Sequence, residues 1–168
     1  MAGTTKREKI IDNIVTTLTG ITVANGYRTT VTQVTRGHDS LQDVIDGNTA
    51  CPSLGVAISG HRFEMESTHR LKEYLDIDIT GYVTASDEAT RTERLANLIA
   101  DIRDALLVDI HRGVGDATYP AGPAVETRFD GRGPTLTDEY DPGAYHREVI
   151  TGSLVFPVVC YYFTDWTP

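Results

Sequence analysis

The chain has 168 residues, 40% of them hydrophobic and 23% charged, with a formal net charge of −9. That length suits a single domain spanning 1–168, and the composition excludes a disordered or fibrous chain. The acidic balance excludes a surface built to grip a nucleic-acid backbone, and no apolar run reaches the roughly 18 residues that cross a bilayer.

The segment after Met1 passes into an amphipathic pattern, not a signal-peptide block, so a soluble protein made in a cytoplasm is expected. The two cysteines, Cys51 and Cys160, read as small buried hydrophobes of a reducing compartment.

Ile10, Ile11, Ile14, Val15 and Leu18 recur at three- and four-residue spacing and predict a helix over 5–18, stopped by Gly20. Asn25 and Gly26 then predict a turn before a β-branched run, read as a strand over 29–35. Residues 37–52 read as an exposed loop in which Leu41, Val44 and Ile45 permit one helical turn.

Leu54, Val56 and Ile58 alternate with small residues and predict a second strand. The clearest strand covers 71–83, with Leu75, Ile77, Ile79 and Val83 on one face and Tyr74, Asp76, Asp78, Thr80 and Tyr82 on the other. Between the two, 61–69 reads as a polar hairpin tip.

A second helix is expected to open at Ser86 or Asp87 and to bury Leu95, Leu98, Ile99, Ile102, Ala105 and Leu106. Residues 113–142 form an irregular Gly/Pro-rich arm with one short strand over 125–129. The last element, 146–163, is a long strand in which Pro157 predicts an edge position or a bulge. One apolar stripe per helix predicts an α+β two-layer sandwich: a mainly antiparallel or mixed sheet, two principal helices on one face, and long loops.

No catalytic constellation, metal site or cofactor is expected. His61, Glu64 and His69 lack a convergent ligand spacing, neither cysteine has a positioned base, and 131–134 is a turn rather than a phosphate loop. Asp76 and Asp78 share a strand face and read as solvated acids; an acid-base or metal-dependent enzyme would need them together with His61 or His69. Of the C-terminal aromatics, Trp166 is expected to face a partner more than Phe163 does.

The segments 9–14, 18–21, 25–29, 51–54, 75–83 and 97–106, in that order, resemble the tail terminator proteins of long-tailed bacteriophages, the minor tail protein U group. The resemblance covers about the first two thirds of the chain and leaves out the arm after Gly113. It implies a virion protein of the tail-neck junction, made in the host bacterial cytoplasm. Its ring, hexameric by resemblance, would cap the tail tube, stop its polymerisation and join it to the head connector, while double-stranded DNA passes through without specific binding. Another neck protein, of head-closure or connector-adapter type, is the alternative within the same class.

Partner contacts are assigned by position. They are Arg62, Phe63, Glu64, Met65 and Glu66 at the hairpin; His38, Asp39, Asp43 and Asp46 in the loop; Arg128, Phe129 and Arg132 in the arm; and Trp166.

Overall fold

A computed structural model describes residues 5–37, 41–67, 70–110, 126–129, 134–137 and 150–165. The first helix, α1 (Lys6–Thr19), begins where the Thr5 hydroxyl accepts the Glu8 amide and buries Ile10, Ile11, Ile14 and Leu18. The longest helix, α3 (Glu88–Val108), is capped by Asp87, whose carboxylate accepts the Thr90 amide at 2.8 Å. The expected stripe of α3 is buried, with Ile99 packed at the margin of the core.

The strands are β1 (Gln33–Arg36), β2 (Ser53–Ser67), β3 (Arg70–Ala85), β4 (Glu126–Phe129), β5 (Thr135–Thr137) and β6 (Ile150–Asp165), with the short helix α2 (Leu41–Ile45) after β1. They form one mixed sheet in the order β1-β2-β3-β6-β4, and β5 pairs with β6 beside β4. Among the described residues only β1 with β2 is parallel; the other pairs are antiparallel. Alternation puts Leu54, Val56, Leu75, Ile77, Ile79, Val83, Leu154, Phe156, Val158 and Cys160 on one face, where α1 and α3 lie. This is the expected two-layer α+β sandwich.

Several boundaries differ from expectation for identifiable reasons. The first strand starts at Gln33 rather than 29 because the preceding amides bond elsewhere: Arg28 and Thr29 donate to Asp101 of α3, and Val31 donates to the Ile21 carbonyl. Residues 62–66 are no hairpin tip. They pair with β3 from Arg62↔Tyr74 to Met65↔Leu71, so the chain reverses only after Ser67.

Thr80, expected on a wet face, is buried, and its hydroxyl donates to the Gly55 carbonyl. The arm supplies β5 as well as the expected short strand. Nor is the last strand an edge: β6 lies between β3 and the β4/β5 pair. Pro157 faces Asp78 on one side, and on the other it falls between the pairs Phe129↔Val158 and Thr135↔Val155. Its missing N–H costs the sheet one donated bond, and the β3–β6 register runs through Pro157 without a shift.

Two glycines stand at close approaches, one between sheet and helix and one within the sheet. A Cβ on Gly152 would lie 2.9 Å from both Arg91 and Leu95 of α3, so the glycine lets the helix sit on β6. A Cβ on Gly60 would meet the Asp76 carboxylate at 2.8 Å.

Candidate interaction surface

The far end of the sheet, where β2 and β3 approach their turn, extends beyond the pairing with β1, which stops at Arg36↔Val56. A bulge between Ile58 and Gly60 shifts the register, after which 60–65 runs regularly against β3 until a second irregularity before Ser67. His61, Phe63 and Met65 oppose Leu75, Glu73 and Leu71 and so share the helix-side face. The helices do not cover this end: Phe63 is 69% exposed and Met65 71%.

On that same face Glu73 gathers three donors. The Tyr162 hydroxyl donates at 3.0 Å, the Thr164 hydroxyl donates to the other carboxylate oxygen, and His61 Nε2 lies 2.9 Å away. Burial pushes the Glu73 carboxyl up, but the bonds from Thr164, Tyr162 and His61 outweigh it and hold the group below the usual carboxylate range. Burial and the Glu73 carboxylate together push the Tyr162 phenol well up. Lys6 of α1 donates to the Phe163 carbonyl at 2.6 Å and ties α1 to this end of the sheet.

The helix-free face carries a lattice of cations and rings. Tyr74 and Tyr161 face each other across β3 and β6 with ring centres 6.0 Å apart, and Phe163 follows Tyr161 edge-on at 6.3 Å. Lys72 sits 4.4 Å from the Tyr161 ring centre and 5.1 Å from that of Tyr74. Arg62 lies over Tyr74 at 4.9 Å, Arg70 over Phe163 at 4.2 Å and Arg128 over Tyr161 at 5.3 Å.

Acids complete the lattice. Tyr74 donates to Glu64 at 2.9 Å, Tyr161 donates to Glu126, and Arg128 reaches both Glu126 oxygens at 2.9 Å. The hydrogen bond to Glu126 pushes the Tyr161 phenol up, and the same carboxylate raises Arg128.

The structure therefore joins residues that the sequence left apart. Arg62 of β2 and Arg128 of β4 meet the two neighbouring tyrosines of one lattice, although two strands lie between them. Glu64 belongs to it, Phe63 and Met65 stand on the opposite face, and Glu66 pairs with Arg70 at 3.7 Å. Phe129 faces the helix side, edge-on to Phe156 at 5.5 Å. Asp43 and Asp46 are exposed on α2 and the turn after it, separate from the lattice. His38, Asp39, Arg132 and Trp166 lie outside the described residues.

Sequence reasoning missed Arg70, Lys72, Glu73 and Glu126 as participants. The alternation Lys72, Tyr74, Asp76 on β3 and Tyr161, Phe163 on β6 was the available signal, but it gains meaning only once the two strands are known to be neighbours. Asp76 is held by Arg62 at 3.4 Å, while Asp78 lies opposite Ala57 and Pro157.

Among the described residues no group of three His, Cys, Asp or Glu side chains could hold a metal ion, neither cysteine is in a disulfide, and no helix is long and apolar enough to cross a membrane. No protein-family model matches the chain, and no curated protein matches it significantly.

Proposed function

We propose that this protein is a structural virion component that acts by docking, a tail-terminator-like subunit whose ring caps the tail tube and joins it to the head connector. The hexameric ring, the tube and connector as partners, and the tail-neck location follow from the resemblance. The observation that carries the docking role is the far end of β2, where Phe63 and Met65 stand exposed side by side on a paired strand. An isolated exposed hydrophobe is ordinary, but two on one face of an extended strand, with the cation–ring lattice on the strand's other face, suit a protein contact. The net charge of −9 suits a wall past which DNA moves without sticking.

Immunogold imaging of phage particles from the source host tests the reading. Label confined to the head-proximal end of the tail is the expected result. Its consistent absence from particles whose tube protein labels well overturns the virion assignment.

A further inference from the structure

The geometry points to a second copy of this chain as the occupant of the free edge of β2, paired antiparallel about a two-fold axis at Phe63. Among the described residues no strand lies against β2 on its β1 side beyond Val56, so its outer N–H and C=O groups face outward there. A long edge strand that carries apolar side chains is a template for another strand, and folded proteins ordinarily blunt such edges with lysine, proline or a bulge. Here the bulges bracket 60–65 instead of interrupting it, and that segment contains neither lysine nor proline.

The sequence of the segment is complementary to itself. Antiparallel pairing centred on Phe63 sets Arg62 opposite Glu64 of the second copy and Glu64 opposite its Arg62, both on the helix-free face. On the other face Phe63 meets its own equivalent, and each Met65 meets a His61. Moving the centre one residue either way sets Glu64 against Glu64 or Arg62 against Arg62, which like-charge repulsion disfavours. A two-fold contact of this kind uses one patch on both copies and continues the sheet from one into the other.

The inference rests on the docking reading of this edge but not on the phage assignment. Contacts that close a ring would use other surfaces, and absence of label from virions would leave the pairing standing.

Sedimentation of the full chain over a dilution series, with cross-linking of cysteine variants in a Cys51→Ser background, tests it. The expected result is a reversible species of twice the chain mass. Phe63→Cys then forms a disulfide-linked dimer under mild oxidation, because facing Cβ atoms lie about 5 Å apart. Met65→Cys does not, because its equivalents stand about 13 Å apart along the strand. Glu64→Arg abolishes the dimer, and Arg62→Glu with Glu64→Arg restores it, each variant being checked for an unchanged circular dichroism spectrum. A chain that stays monomeric at every concentration overturns the proposal, and so does an oligomer in which Phe63→Cys fails to link.

Discussion

The two halves of β2 belong to one strand and pair with one neighbour, yet they obey different constraints. From Ser53 to Val56 the strand is enclosed by β1 and β3 and contributes Leu54 and Val56 to the core. Past the bulge it keeps β3, loses β1 and turns Phe63 and Met65 outward. The contrast separates two reasons for an apolar residue in a strand. The near half satisfies the fold, whereas the far half presents surface that folding alone leaves uncovered.

The sharpest way to break this contrast is to compare truncations in and beyond the core. Ile77→Ala, at a fully buried position of β3, is expected to cost about 2–5 kcal/mol in urea unfolding. Phe63→Ala, measured at low protein concentration, should stay within about 0.5 kcal/mol. A comparable loss for the two would show that the far end belongs to the core.

The next effect concerns Asp101, a fully buried carboxylate that accepts the Arg28 and Thr29 amides and the Arg28 guanidinium at 2.7–3.1 Å. Asp101→Ala leaves these donors without their acceptor and should cost about 2–3 kcal/mol. Hydrogen exchange should quicken first at the Arg28 and Thr29 amides, ahead of the β2–β3 ladder.

A smaller difference separates the two tight glycines. Gly152→Ala drives a methyl against Arg91 and Leu95 under α3 and should cost about 1–3 kcal/mol. Gly60→Ala meets mainly the end of the Asp76 side chain, which can swing away, so its thermal midpoint should fall less.

The smallest effect is one of pH. Glu73 titrates below its ordinary range when folded, so its contribution is full above the ordinary carboxylate pKa and is lost as pH falls through the folded value. Thermal midpoints taken down the acid limb should therefore drop more steeply for the wild type than for Glu73→Gln. Parallel curves would remove Glu73 from the account of that limb.

The sequence spoke clearly wherever a period of two or 3.6 repeated over several residues. The stripe from Ile10 to Leu18, the stripe from Leu95 to Leu106 and the alternation from Leu75 to Ile79 all face one core. Boundaries were harder because hydrogen-bond partners distant in sequence decide them. Thr29 has strand propensity, but Asp101 claims its amide, and Asp101 sits between Leu98 and Ile102 on the apolar face of α3, where an acid is out of pattern. Pro157 misled for a related reason, since proline restricts only the side of a strand on which a donor is required. Of the interaction surface, the cluster 62–66 was legible as a segment, while the lattice was not, because Tyr74 and Tyr161 are brought together only by the pairing of β3 with β6.

That pairing also orders events during synthesis. Residues 70–85 leave the ribosome well before 150–165, yet the later strand fills the middle of the sheet. A nascent chain that has reached Val108 holds β1, β2, β3 and both long helices, with one side of β3 still waiting and the apolar face of α3, which packs on both β3 and β6, only partly covered. Domains tend to fold as units, so the native sheet forms only after β6 emerges, and until then the inner edge of β3 is a site for chaperone capture or wrong pairing.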